Sequence, residues 1–207
     1  MKKEKTKEKK FDLELAENLI HALLFKAYKL DKDDPGLKDT PRRIAKMYDE
    51  LIAEVHSEKP DFKVVFPNDL LNHYDGIILS DCLHFWSLCE HHFLPFGGYG
   101  WIAYIPNEKE VTGLSKLGRI LNFYSKRPQI QERLTSQIAN FIMEEFHPLG
   151  VMVYLRAKHG CTQCRGLKAD NRAGMTTNVC KGSFREDSNL ELKALEMIKI
   201  SLSMEGL

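Results

Sequence analysis

The chain has 207 residues, 43% hydrophobic and 29% charged, with a formal net charge of +1. That is an ordinary globular composition, with room for one substantial core and a helical appendage. The near-zero balance gives no general electrostatic case for nucleic acid or an acidic membrane, and no apolar run approaches a membrane span. The start, MKKEKTKEKK, is charged and leads into amphipathic sequence rather than a signal-peptide core, so a cytoplasmic protein is expected.

Residues 1–10 are nearly all Lys, Glu and Thr and are expected to form a disordered charged arm. Residues 11–60 read as an N-terminal helical extension. Leu13, Leu15, Ala16, Leu19, Ile20, Leu23 and Leu24 fall at helical spacing, and KDDPGLKD is turn chemistry. Thr40 is the expected N-cap, with Pro41 opening a helix that runs through RRIAKMYDELIAEV. From residue 61 to 207 the pattern changes. FKVVF, GIILSDCLHFWSL, YGWIAYI, GVMVYLRAKH and MTTNVCKGSF read as strands. Between the third and fourth lie two helical segments, GLSKLGRILNFYSKR and PQIQERLTSQIANFIMEEF, with Pro128 expected to start the second. A last helix is expected at 188–204. This order predicts an α+β fold with a largely antiparallel sheet.

Two short clusters carry the chemistry. SLCEHHFLPF places Cys89 and His92 at C-x-x-H spacing, so one turn can offer two ligands to a single ion. HGCTQCRG supplies a third in Cys161. Two cysteines and one histidine with an open position form a catalytic zinc arrangement, and the water in that position approaches neutral pKa. The bland alternative is that the cysteines are small buried hydrophobes. Cys164 leaves a second alternative open, a site closed by C-T-Q-C. The remaining two of the five cysteines, Cys82 and Cys180, read as core, and the odd count argues against a disulfide framework. His91 adjoins a ligand, and His159 precedes Cys161 by two, on the same face if that segment is extended. Either histidine suits proton transfer, or a hydrogen-bonded role orienting a ligand.

Basic residues recur three apart at Arg43 and Lys46, then at Lys116 and Arg119, with Arg165 and Arg172 near the second cluster. A shared polyphosphate would satisfy such a set, whereas the plain alternative is solvated helix faces. No G-x-x-x-x-G-K-[ST] loop is present, which excludes a P-loop. Gln131-Glu132 opens a helix, where a carboxylate is expected on dipole grounds alone and could also accept the N1–H and exocyclic amine of guanine.

Together LCEHHFLPF, GLSKLGRI, RPQIQERLT, H-x-C-x-x-x-R-G and DTPRRIAKMYDEL resemble GTP cyclohydrolase I, over roughly residues 30–187 and in the family's order. The resemblance implies a tunnelling fold at 61–207: an antiparallel sheet with a helix pair on one face, plus the helical extension. It implies a homo-oligomer, a decamer of two stacked rings with sites at subunit interfaces, that converts GTP and water to 7,8-dihydroneopterin triphosphate and formate. Carried over by motif, Cys89, His92 and Cys161 would bind zinc. His91 and His159 would move protons, and Ser115 would assist ribose rearrangement and ring closure. Glu132 with Gln131 would read guanine, and Arg43, Lys46, Lys116, Arg119 and Arg165 would hold the triphosphate. The chain departs from the family at LKADNRAGMTTN, one residue longer where a Ser/Thr-rich strand is usual. The competing readings are another tunnelling-fold pterin or deazapurine enzyme, whose zinc is held by histidines, and a non-catalytic GTP-binding paralogue.

Overall fold

The computed structural model describes residues 11–170 and 172–204; the arm expected at 1–10 lies outside them. The chain divides into two compact units, one ending at Glu58 and one running from Lys59. In the first unit the apolar periodicity produces α1 (Leu13–His21), whose N-cap Asp12 accepts from the Leu15 N–H at 2.9 Å. It continues as a π-helical turn, Ala22–Ala27. The second helix, α2 (Thr40–Leu51), packs against α1, and Arg42 pairs with Glu17 at 3.6 Å. Two expectations shift here. Asp39 rather than Thr40 holds the cap position, and the helix ends at Leu51, short of Val55. The Thr-Pro pair is the first turn itself, where the missing proline N–H has no intrahelical partner to lose.

The second unit begins with β1 (Val65–Pro67), β2 (Ile78–Cys89), β3 (Pro95–Ile105) and β4 (Glu110–Thr112). Two helices follow, α3 (Leu114–Ser125) and α4 (Gln131–Phe146), with a two-residue β5 (Pro128–Gln129) between them. The chain then runs through β6 (Gly150–His159), a helical turn α5 (Gly160–Gln163), β7 (Met175–Gly182), a second turn α6 (Ser183–Glu186) and α7 (Ser188–Met204). β1 and β4 pair as a separate ribbon. The main sheet has the order β5-β2-β3-β6-β7 and is antiparallel except where β5 joins β2.

Side chains of β3 alternate between two apolar layers, which makes it the central strand. Phe96, Ile102 and Tyr104 face a core shared with Leu117, Ile120 and Leu121 of α3 and Leu134, Ile138 and Ile142 of α4. Trp101, Ala103 and Ile105 face the other way, against Ala194 and Ile198 of α7. The helix pair therefore covers one face of the sheet, as the resemblance implies, and α7 covers part of the other. Cys82 and Cys180 pack against this second layer.

Pro128 does not start the second helix of the pair. It sits in β5 at the sheet edge, where a residue without an N–H is tolerated, and α4 begins three residues later. β3 starts four residues before the run YGWIAYI because Phe96-Gly97-Gly98 is extended too. A Cβ at Gly98 would come within 2.1 Å of the Arg156 carbonyl oxygen, so the strands approach closely only without a side chain there. Beyond the segment that follows Gly166, β6 and β7 pair without interruption from Ala157↔Met175 to Gly150↔Gly182.

Tyr104 carries a testable consequence of this packing. Its buried hydroxyl donates to the Thr112 carbonyl at 3.3 Å and accepts the Thr112 N–H at 3.1 Å. Burial pushes its phenol up to about 12, against an unfolded value near 10. The folded state thus keeps a proton the unfolded chain releases, so stability falls as pH rises from about 10 toward 12. Burial also raises the Cys180 thiol to about 11, which adds slope of the same sign. Tyr104→Phe is expected to cost about 1 kcal/mol at neutral pH and to flatten, without abolishing, that alkaline loss. Urea unfolding at a series of alkaline pH values checks both.

Candidate metal centre and active site

Strand register brings the two sequence clusters together. Leu88 pairs with Pro95, and Phe96 pairs with His159, so the ends of β2 and β6 flank the start of β3. Cys89 closes β2, and its N–H donates to the Leu94 carbonyl at 2.9 Å. The turn Glu90–Leu94 is tight: the Phe93 N–H donates to the Cys89 carbonyl at 2.8 Å, and Phe93 adopts a positive φ of 52°. This turn places His92 Nδ1 3.7 Å from Cys89 Sγ. At the end of β6 the chain turns into α5, which delivers Cys161. One expectation changes here: the segment is not extended beyond His159, so His159 and Cys161 meet the site through a helical turn rather than through strand alternation.

The ligand atoms of Cys89, His92 and Cys161 all lie within 4.8 Å of one another. A tetrahedral ion with usual metal–sulfur and metal–nitrogen bonds would hold S and N roughly 3.6 Å apart, close to the separation found. Burial, then the adjoining Cys89 sulfur, pushes the Cys161 thiol up. Two facing thiols with an imidazole are a donor set that a divalent cation satisfies, since it supplies the charge their ionised forms need. Among the described residues Cys164 is not part of this group and is exposed.

His91 is exposed and its Nε2 lies 3.9 Å from Glu90 Oε1. His159 is half-buried and stacked on Phe96, with ring centroids 4.6 Å apart and 5° between planes. Burial lowers its imidazole pKa against the opposing pull of the Glu132 carboxylate. Glu132 is exposed in the first turn of α4. Gln131 behaves differently from the expectation that it joins Glu132 at a guanine edge. It is fully buried, its amide nitrogen shares two protons among the Leu155 and Met175 carbonyls and the Thr177 hydroxyl, and its amide oxygen meets His159 Nε2 at 2.9 Å. Its side-chain hydrogen bonds are spent inside the protein.

Ser115 and Arg119 are exposed on α3, with Lys116 partly exposed between them. Arg165 is exposed just after α5. Arg43 and Lys46 are exposed on α2 of the first unit, where Arg43 is 3.8 Å from the Asp39 carboxylate. A cavity of about 710 Å³ lies on the sheet face away from the helix pair, lined among others by Trp86, Leu94, Tyr99, Arg156 and Cys164, and not by Cys89, His92 or Cys161.

No local motif points to the clamp behind the turn that carries Cys89 and His92. Arg133 forms an ion pair with Glu90 and also donates to Gln129 Oε1 at 2.9 Å and to the Pro128 carbonyl at 3.2 Å. That guanidinium bond holds the Glu90 carboxyl below its usual range. The Glu90 N–H donates to the Gln129 carbonyl at 3.1 Å. Glu90 stood in view within CEHH, but its partner lies 43 positions on.

Comparison with known proteins supplies the family. The family model described as GTP cyclohydrolase I matches residues 16–199. This chain belongs to the GTP cyclohydrolase I family. It is 42% identical over 168 residues to GTP cyclohydrolase 1 of Thermoanaerobacter pseudethanolicus, covering 81% of this chain and 87% of that one. The Bacillus pumilus enzyme is 41% identical over 187 residues, covering 90% and 96%. The Streptococcus pyogenes enzyme is 46% identical over 153 residues, covering 73% and 76%. Among solved structures, the apo archaeosine synthase QueF-Like superposes with a TM-score of 0.41 at 14% identity, covering 52% of this chain and 94% of that one. Among the described residues no helix is long and apolar enough to cross a membrane.

Arg133→Met is expected to keep the fold and weaken metal binding roughly 10- to 100-fold, because the turn carrying Cys89 and His92 loses its brace. Competition with a chromophoric chelator measures this; unchanged affinity would show that the clamp does not bear on the ion.

Proposed function

We propose that this chain converts GTP and water to 7,8-dihydroneopterin triphosphate and formate, as a cytoplasmic, zinc-dependent homo-oligomer with sites at subunit interfaces and a decameric assembly. The observation that carries this reading is the convergence of Cys89, His92 and Cys161 within 4.8 Å, in a chain of the GTP cyclohydrolase I family. Two sulfurs and one imidazole leave one tetrahedral position open, the donor set of a catalytic rather than a structural zinc. Zinc, when bound, makes hydroxide available at neutral pH for attack at C8 of the guanine ring.

The chain's own residues divide the remaining work. The Glu132 carboxylate accepts the N1–H and exocyclic amine of guanine, a donor pair adenine does not present. His91 and His159 carry protons during opening of the five-membered ring and release of formate. Ser115 assists the later ribose rearrangement and closure to the pterin. Arg43, Lys46, Lys116, Arg119 and Arg165 hold the triphosphate, the arginines through forked hydrogen bonds. His91, His92, Ser115, Arg119 and Arg165 are all exposed on a single chain. That exposure supports a site whose walls are completed by neighbouring copies.

Zinc-loaded protein is expected to release formate and form pterin from GTP and not from ATP. Cys161→Ala is expected to lose zinc and turnover together, and Glu132→Gln to lower kcat/KM for GTP about 100-fold while keeping the ion. Pterin absorbance, formate release and metal content read these outcomes. Activity surviving in Cys161→Ala would overturn the metal assignment. Bound zinc and tight GTP binding without turnover in the wild type would favour the non-catalytic paralogue.

A further inference from the structure

Gln131 sits at the centre of a closed polar network whose proton directions can be worked out. Its Nε2 lies 3.2 Å from the Leu155 carbonyl oxygen and 3.1 Å from that of Met175. Both oxygens are acceptors and nothing else. The opposite amide orientation would press Oε1 against two backbone carbonyls, leaving a fully buried group without its donors. Nε2 therefore faces the sheet, and Oε1 faces His159.

Two threonines support the same orientation. Thr135 Oγ1 donates to the Gln131 carbonyl at 2.7 Å, which uses its single proton. The hydroxyls of Thr135 and Thr177 are 2.6 Å apart, so Thr177 is the donor in that pair. Thr177 Oγ1 then presents a lone pair 3.1 Å from Gln131 Nε2, a third acceptor sharing the two amide protons with the carbonyls. The chain of donors is consistent from Thr177 through Thr135 to the Gln131 backbone, and from the Gln131 amide to the sheet.

Only an acceptor oxygen is left for the imidazole. The contact between His159 Nε2 and Gln131 Oε1, at 2.9 Å, needs a proton on Nε2. Phe96, stacked flat on the ring, holds its plane. We propose that Gln131 is a positioning residue that fixes His159 in its Nε2-protonated form, so that Nδ1 is the nitrogen exchanging protons with substrate. The proton-carrying role of His159 rests on the function proposed above; the tautomer does not. Gln131 acts here from inside the protein, and Glu132 beside it keeps the guanine edge to itself.

The direct test is neutron diffraction from crystals of the deuterated, zinc-loaded full chain at mildly alkaline pH. A deuteron on His159 Nε2, pointing at Gln131, is expected. A deuteron on Nδ1 alone would overturn the proposal. This outcome is independent of turnover, so a wild type that makes no pterin would sink the functional reading and leave the tautomer decided. The variant Gln131→Met removes the acceptor and keeps the length. It is expected to lower kcat roughly 10- to 100-fold with KM for GTP changed less than about twofold and zinc content unchanged. An unchanged kcat in Gln131→Met would show that the contact positions nothing. Should Gln131→Met fail to fold, the neutron result on the wild type still decides.

Discussion

Everything at the centre depends on the register of three strands. β3 is held between β2 and β6, and the pairs Leu88↔Pro95 and Phe96↔His159 set where the outer two strands end. A slip of one residue would turn each side chain of the slipped strand to the opposite face. Cys89 would leave the buried layer beneath the helix pair, and His159 would lose Phe96. The register is pinned by burial on both sides of β3. Phe96, Ile102 and Tyr104 are locked under α3 and α4, and Trp101, Ala103 and Ile105 under α7. The apolar core therefore sets the spacing of the metal ligands, although only Cys89 among them belongs to it.

A second layer of organisation is polar and comes from the first turns of α4. Arg133 reaches the metal turn through Glu90, and Gln131 reaches His159. These groups are costly to leave unpaired once desolvated, so each holds its partner in one geometry. The helix thus serves the site from both directions. One residue braces the turn that carries Cys89 and His92, a second hydrogen-bonds His159, and exposed Glu132 between them faces outward. Three consecutive residues do three different jobs because a helix sends neighbours about 100° apart.

Much of this was legible in the sequence, for identifiable reasons. Helices α3, α4 and α7 and strands β6 and β7 follow from strong periodicity and apolar runs. The ligand trio followed from residue types and short spacings, which survive without knowledge of the fold. What escaped depends on contacts between distant segments. The two-residue β5 exists because its neighbour β2 is there to pair with it. The Phe-Gly-Gly start of β3 lacks alternation, since Gly97 closes on Phe85 and Trp86 of β2 and Gly98 on the backbone of β6. Gln131 looked like a ligand-facing amide beside Glu132, and its inward direction is set by carbonyls of β6 and β7 that no local pattern encodes. The placement of Glu90 against Arg133 is of the same kind.

The central claim is a three-ligand metal site with one position left for chemistry. X-ray absorption at the zinc edge of the loaded protein tests it most directly. The account predicts two sulfur donors with two nitrogen or oxygen donors, one of them exchangeable with solvent. Three sulfur donors would mean that Cys164 closes the site, and an open catalytic position would have to be abandoned.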